Sequence, residues 1–82
     1  MTDQIREIIK QHGRMPTDVD SLADDADLFV AGMSSHASVN VMLALENAFD
    51  VEFPDEMLTR STFASITAIR AALEQLSDEA VA

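Results

Sequence analysis

Three polar side chains that could do chemistry stand together near the middle of the chain. Ser34, Ser35 and His36 come directly before an apolar, helix-like segment. A serine hydroxyl can act as a nucleophile when a base lies within hydrogen-bond distance, and it can also carry a covalent group. A serine at a helix N-terminus can equally be an ordinary capping residue. The chemistry of this motif therefore depends on the elements that position it.

A hydrolase site fits this motif poorly. Ser35 and His36 are neighbours in the chain, and neighbouring residues on a helix point in different directions. No G-x-S-x-G elbow is present, and His12 is the only other histidine. We therefore expect no catalytic residue in this chain and do not predict an enzyme.

A metal site is not predicted either. Asp18 and Asp20 resemble the start of a calcium-binding loop, but Leu22 stands where a third ligand is needed and Ala23 replaces the turn glycine. The chain has no cysteine, which excludes disulfides and thiolate metal sites. We interpret the aspartates as a solvated acidic face.

Composition narrows the partners and the compartment. The 82 residues include 15 acidic and 5 basic side chains, for a net charge of −10, which repels nucleic acids and anionic membranes and attracts basic partners. No apolar run reaches the roughly 20 residues that cross a bilayer, and no signal-peptide pattern is visible. We expect a cytoplasmic monomer that is one domain over residues 1–82, with an ordered core of about 2–76, and that binds neither nucleic acid nor membrane.

Apolar spacing predicts three main helices and one short helix. The first covers residues 2–13, with Thr2 or Asp3 as its cap and Gly13 as its stop. A long connection, residues 15–33, leads to the strongest helical pattern, in which Ser34 is the cap and Ser35 the first helical residue. We expect its core anchors to be Leu22, Leu28, Phe29 and Val30.

The second half of the chain predicts a short acidic helix and a last long one. Pro54 suits the start of the short helix, and Ser61 or Thr62 can cap the last helix, residues 61–76. The tail, residues 77–82, is predicted to fray. No alternating strand pattern is present, so the expected fold is all-α, a small four-helix bundle with a long first loop.

The predicted core follows the helical stripes. We expect His12 to be half-buried at the end of the first helix, and the methionines Met15, Met33, Met42 and Met57 to pack into the core. The core is predicted to contain Ile5, Ile9, Leu28, Val39, Met42, Leu45, Phe49, Phe53, Ile66, Ile69 and Leu73.

A serine hydroxyl at a helix N-terminus has one use beyond capping. The free N–H groups and the positive end of the helix dipole favour a phosphate nearby. A phosphodiester attached to a serine there would be stabilised where it is attached. Charge and geometry permit this at the Ser34–Ser35 pair and do not choose between the two.

The run "GMSSHASVNVMLALENAFDVEFPDEML", residues 32–58, resembles the central part of acyl carrier proteins. That family has Gly-hydrophobic-Asp-Ser-Leu, then a helix that ends in Leu-Glu-x-x-Phe, then an acidic segment with Pro-Asp-Glu. Asp27 and Leu28 precede the motif as in the family, and Thr62, Phe63 and Ile66 resemble the start of its last helix. The matching positions within the run are Gly32, Met33, Ser35, Val39, Leu45, Glu46, Phe49, Phe53, Pro54, Asp55 and Glu56.

This resemblance implies a carrier function without catalysis. A phosphopantetheinyl transferase would attach the 4′-phosphopantetheine arm of coenzyme A to Ser35, which the family spacing selects over Ser34. The thiol of the arm would carry an acyl group as a thioester, so the reactive sulfur that the sequence lacks would be imported. The carrier would raise the effective concentration of its cargo at partner enzymes.

The sequence departs from the family pattern at the motif itself. Ser34 replaces the usual aspartate and His36 the usual leucine, while Asn40 and Asn47 stand where glutamates are common. We expect a partner surface different from that of carriers in ordinary fatty acid synthesis. The candidate partner contacts are Ser34, His36, Val39, Asn40, Glu46, Asp55, Glu56 and Met57.

The sequence of residues 32–55 is similar to that of a narrower branch of the family, the stand-alone aminoacyl carrier proteins. These are loaded by amino acid:carrier protein ligases that resemble seryl-tRNA synthetases, and the resemblance implies glycine or alanine as cargo and a downstream acyltransferase. Two alternatives stay open: a specialised carrier of fatty acyl or polyketide intermediates, and an unmodified acidic helical adaptor.

Overall fold

Residues 1–81 form three α-helices and three short 3₁₀ turns. The computed structural model describes the backbone of residues 1–81 and the side chains of residues 1–76. The helices are α1, Thr2–His12, α2, Ser35–Phe49, and α3, Ile66–Val81. The 3₁₀ turns are Val19–Ser21, Asp55–Met57 and Arg60–Phe63. No strand occurs within residues 1–81, which confirms the all-α prediction. The backbone of α3 continues to Val81, so the prediction that the last helix ends at residue 76 was wrong, and the side chains that follow residue 76 lie outside the described residues.

The first helix ends where predicted but begins differently. Met1 is its N-cap, without a side-chain hydrogen bond, so the prediction of Thr2 or Asp3 as cap was wrong. The carbonyl of Met1 accepts from the N–H of Ile5, which extends the helix to the chain start. Gly13 is its C-cap: the Gly13 N–H donates to the carbonyl of Ile9 at 2.8 Å, and a Cβ on this residue would lie only 2.7 Å from that oxygen. His12 is exposed rather than half-buried.

The long connection is tied to the bundle by a few strong contacts. Leu28 is fully buried, and its N–H donates to the carbonyl of Ala64 at 2.7 Å. Arg6 donates to the carbonyl of Val19 at 2.7 Å and pairs with Asp24 at 2.6 Å. These bonds satisfy polar groups that an irregular segment would otherwise leave unpaired. The loop, which contains the 3₁₀ turn Val19–Ser21 and is otherwise irregular, is thereby held in place.

Only part of the predicted loop anchoring is present. Leu22 and Phe29 pack against the core while half-buried. Val30, however, is 82% exposed, so its prediction as an anchor was wrong. The carboxylate of Asp27 accepts from the N–H groups of Phe29 and Val30, and the Ala31 N–H closes a turn onto the Asp27 carbonyl. That turn leaves the Val30 side chain in solvent.

The buried face of α2 differs from the predicted stripe. Ala37, Val41 and Leu45, each four residues apart, are the buried line. Val39 is 49% exposed, which corrects its prediction as core, and Met42 and Phe49 are only half-buried. The physical reason is that α2 has apolar residues on most of its circumference, so their spacing does not define one inward direction. The small side chain of Ala37 suits a close approach to its neighbours.

The last helix is capped by a residue that the sequence did not indicate. The Ser65 hydroxyl accepts from the Ala68 N–H at 3.0 Å, so Ser65 rather than Ser61 or Thr62 caps α3. Ser61 and Thr62 belong to the third 3₁₀ turn, whose Phe63 packs edge-on against Phe53 with ring centroids 5.2 Å apart. The inner face of α3 is formed by Ile66, Ile69, Ala72, Leu73 and Leu76.

One hydrophobic cluster joins the three helices, the long connection and the third 3₁₀ turn. The predicted core members that are confirmed as buried are Ile5, Ile9, Leu28, Leu45, Phe53, Ile66, Ile69 and Leu73. Met33 is buried, and Met15, Met42 and Met57 pack against the cluster, as predicted. Within the described residues, no helix is both long and apolar enough to span a membrane.

Candidate functional site

The hydroxyl of Ser34 caps the N-terminus of α2. Its backbone is extended, with φ −80° and ψ 162°, and its hydroxyl accepts from the Ala37 N–H at 3.0 Å. Its carbonyl accepts the next helical bond, from the Ser38 N–H at 2.9 Å. The predicted capping role of Ser34 is confirmed. The Ser34 hydroxyl is consequently engaged in holding the helix start.

The structure predicts a small stability loss for Ser34→Ala. Loss of the capping hydrogen bond is expected to cost about 1 kcal/mol of the free energy of unfolding, because the Ala37 N–H loses its acceptor. Urea denaturation measures this loss, with Ser34→Asp as the control that restores a capping oxygen. Equal destabilisation by Ser34→Asp would show that the serine does more than cap.

Ser35 has the opposite character. It is the first residue of α2, its side chain is exposed, and its hydroxyl has no hydrogen-bond partner among residues 1–76. Only its backbone carbonyl is engaged, by the Ser38 hydroxyl at 2.6 Å. The N–H groups of Ser35 and His36 precede the first intrahelical bonds, where the helix dipole is positive. The hydroxyl is therefore free and sits in a setting that favours an attached anion.

The loop before α2 is fixed by a close backbone approach. Gly32 has φ +123°, and a Cβ there would lie 2.5 Å from the Pro16 ring. The N–H of Met33, the buried residue that follows, donates to the Leu28 carbonyl at 2.9 Å. Only glycine fits this position without displacing Pro16. The glycine of the motif therefore sets the direction in which the chain reaches Ser34 and Ser35.

An apolar groove begins at Ser35. It has a volume of about 350 Å³ and is open to solvent on one side. The Arg60 guanidinium lies on its rim, with its central carbon 4.2 Å from the centroid of the Phe29 ring. No carboxylate of the described side chains, residues 1–76, lines it. The other lining side chains include Phe29, Ser38, Val39, Met42, Leu58 and Phe63.

The predicted partner contacts fall on more than one face. His36 and Val39 are exposed close to Ser35, and Val39 also lines the groove. Asn40 instead lines a second depression, between α1 and α2, together with Leu43 and Asn47. Asp55 and Glu56 are exposed on the second 3₁₀ turn. Met57, on the same turn, is half-buried and packs against the core.

Glu46 has a structural contact of its own. Its carboxylate accepts from the N–H of Phe53 at 2.8 Å, and the side chain is half-buried. This bond ties the end of α2 to the segment that carries Phe53 into the core. The contact with a basic partner that the sequence predicts for Glu46 would therefore share the carboxylate with an internal donor.

Glu46→Ala is expected to lower the free energy of unfolding by roughly 1–3 kcal/mol, because the Phe53 N–H loses a charged acceptor. Urea denaturation monitored by circular dichroism measures the change. Glu52→Ala is the matched control, since Glu52 is an exposed glutamate in the same segment. If both variants were equally stable, the hydrogen bond would contribute nothing net.

Comparison with known protein families shows which family this chain belongs to. Residues 3–75 match the family described as the phosphopantetheine attachment site. The chain belongs to this family. The aminoacyl carrier protein of Agrobacterium fabrum is 53% identical to it over 78 residues, which are 95% of this chain and 94% of that protein. The chain is thus an aminoacyl carrier protein homologue, as the resemblance implied.

Solved structures agree with the family assignment. One is the carrier protein chain from Agrobacterium tumefaciens, crystallised with an engineered Bradyrhizobium japonicum glycine:carrier protein ligase and AMP. It is 54% identical, has a TM-score of 0.88 and matches 90% of this chain and 99% of that chain. A solution structure of an Agrobacterium tumefaciens protein is 51% identical, with a TM-score of 0.78 over the full length of both chains. The acyl-carrier-like fold is confirmed.

Membership of the phosphopantetheine attachment family brings a covalent 4′-phosphopantetheine group, as predicted. A free, exposed serine hydroxyl fits such a group, and Ser35 has one. Sequence reasoning missed Arg60 and Leu58 as neighbours of the site. They are distant from Ser35 in the chain, and no spacing pattern in the sequence connects them to it.

Proposed function

We propose that Ser35 carries the 4′-phosphopantetheine arm and that the protein holds glycine or alanine on it as a thioester for delivery to a partner enzyme. The observation that carries the proposal is the difference between the two serine hydroxyls at the start of α2. The Ser34 hydroxyl is hydrogen-bonded in the helix cap, whereas the Ser35 hydroxyl is exposed and has no hydrogen-bond partner within residues 1–76. The family match supplies the nature of the attached group.

The attachment step needs little from the carrier itself. Ser35 Oγ forms a bond to the phosphorus of coenzyme A that bears the pantetheine, that phosphorus loses its bond to adenosine bisphosphate, and the hydroxyl proton is released to the transferase. The bound group then supplies a thiol that can be acylated. The exposed N–H groups at the start of α2 and the helix dipole stabilise the phosphodiester that results.

The carrier contributes position and charge rather than catalysis. No histidine or carboxylate makes a hydrogen bond to the Ser35 hydroxyl within residues 1–76, so this hydroxyl lacks a base of its own. We infer a monomeric, cytoplasmic carrier with a single domain. Its net charge of −10, with Asp55 and Glu56 exposed, favours partners with basic surfaces.

Three partner enzymes follow from this function. A phosphopantetheinyl transferase loads Ser35, an amino acid:carrier protein ligase acylates the thiol, and a downstream acyltransferase removes the cargo. The ligase is supported by the solved neighbour, whose carrier chain was crystallised with a glycine:carrier protein ligase. The exposed His36 and Val39 beside Ser35 are our candidates for the contact with the ligase.

The apolar groove beside Ser35 favours a second candidate, a carrier of longer acyl chains. An apolar chain gains free energy from leaving water, and the groove offers Val39, Met42 and Leu58 as its walls. The 53% identity to an aminoacyl carrier protein favours the small amino acid. The two candidates can be distinguished by the type of ligase that acylates the holo protein.

The test is intact-protein mass spectrometry after incubation with coenzyme A and a phosphopantetheinyl transferase. We expect a gain of one phosphopantetheine group, followed by a gain of one glycyl or alanyl group with an amino acid:carrier protein ligase and ATP. Loading by a fatty acyl ligase alone would select the second candidate. A folded protein that never gains the arm would point to the unmodified adaptor.

A further inference from the structure

Arg60 stands out among the few basic residues of this acidic chain. Arg6, Lys10 and Arg70 each pair with a carboxylate. Arg14 and Arg60 form no salt bridge within residues 1–76, and of these two Arg60 is the one that lines the groove beginning at Ser35. Its guanidinium is instead held over the Phe29 ring at 4.2 Å. Phe29 is half-buried and packs against the core, so the platform under the guanidinium is fixed. Such a stacked cation keeps its hydrogen-bond donors available.

Arg60 and Ser35 border the same groove. The walls between them are mainly apolar, with Val39, Met42 and Leu58, and no acidic side chain of residues 1–76 lines the groove. A ligand that suits it has an anionic head beside the cation and a neutral, partly apolar body. The arm on Ser35 has this composition: a phosphodiester with a single negative charge, then a geminal dimethyl group and neutral amides.

We propose that Arg60 is a positioning residue that pairs with the phosphodiester on Ser35 and thereby lays the first part of the arm along this groove. The proposal rests on the attachment of the arm to Ser35. Guanidinium and phosphate oxygens form charge-assisted hydrogen bonds. The geminal methyl groups of the arm then contact the exposed faces of Val39 and Leu58.

The same charge pattern places the cargo outside the groove. An aminoacyl thioester carries a positive ammonium group, and the groove offers it the Arg60 cation and no carboxylate. Like charges repel, and a charged group loses favourable hydration when it moves from water to an apolar surface. The groove therefore takes the neutral stem of the arm, and the amino acid stays in solvent, where a partner enzyme can reach it.

The experiment uses the holo protein, with Arg60→Gln and Arg60→Lys as variants. Arg14→Gln is the matched control, because Arg14 is also exposed, forms no salt bridge within the described side chains and does not line this groove. Two NMR readouts apply: the ³¹P shift of the phosphodiester, and cross-relaxation between the geminal methyl groups and the methyl groups of Val39 and Leu58.

In the wild type we expect methyl cross-peaks that weaken as salt is added, since an exposed ion pair is screened. Arg60→Gln is expected to lower the population of the docked arm roughly two- to fivefold, the range of an exposed ion pair. Arg60→Lys should recover part of the cross-peak intensity, and Arg14→Gln should leave it and the ³¹P shift unchanged.

The outcomes separate this inference from the proposed function. If the intact mass shows no arm on Ser35, the proposed function itself fails. If the arm is present but the cross-peaks and the ³¹P shift are the same in the wild type and Arg60→Gln, only the role of Arg60 is wrong. An equal effect of Arg14→Gln would mean that the change depends on the net charge of the protein rather than on the position of Arg60, and it would also overturn the proposal.

Discussion

Ser35→Ala is expected to fold like the wild type and to gain no phosphopantetheine group from coenzyme A and transferase. The side chain is exposed and its hydroxyl makes no hydrogen bond within residues 1–76, so its removal should change the free energy of unfolding by less than about 0.5 kcal/mol. The loss of loading should be complete, because the hydroxyl oxygen forms the new bond. Intact-protein mass after exhaustive incubation measures it.

Ser34→Ala is the matched control for this prediction. It removes a hydroxyl one residue away that is already engaged with the Ala37 N–H, and it should still gain the arm. A mass gain in Ser35→Ala, mapped to another serine, would overturn the assignment. Loss of the mass gain in Ser34→Ala, in a sample shown to be folded, would mean that the cap is required for recognition by the transferase.

Leu28→Ala is expected to cause the largest loss of stability among single loop substitutions. Leu28 is fully buried, and together with Val19 and Met33 it brings the long connection into the core. Truncation leaves a cavity and costs roughly 2–5 kcal/mol. A domain of 82 residues has only roughly 4–12 kcal/mol to lose, so a large part of its stability would disappear. The urea midpoint, followed by circular dichroism, measures the effect.

Val30→Ala provides the comparison within the same loop. Val30 is 82% exposed, and its truncation should change the free energy of unfolding by less than about 0.5 kcal/mol. A small effect of Leu28→Ala, similar to that of Val30→Ala, would mean that the loop is not anchored through Leu28. A large effect of Val30→Ala would mean that Val30 is buried in solution.

The difference between these two residues illustrates the limits of sequence reasoning in a loop. Leu28 and Val30 are both apolar and both lie before the serine motif, and both were predicted to be anchors. The Asp27 turn decides between them by directing one side chain inward and the other into solvent. Local hydropathy has no periodic signal in an irregular segment, so it does not contain that direction.

The second helix shows the same limit within a regular element. Its existence, its cap at Ser34 and its first residue Ser35 were predicted, because capping chemistry is local. Its rotation was not: Val39 faces the groove and Ala37 faces the core. In the last helix, the inner face was predicted, since its apolar residues form one stripe, but the cap was moved to Ser65 by the intervening 3₁₀ turn.

The sequence by itself determined the all-α class, the acidic charge, the position of the helix that begins at Ser35 and the resemblance to carrier proteins. These depend on residue types at short separations, which the chain alone contains. Only the tertiary structure decided that Val39 faces away from the core and that Phe29 and Arg60 border one groove with Ser35. Those facts depend on how segments distant in sequence pack together, and packing selects one face of an apolar helix for the core and leaves the other to function.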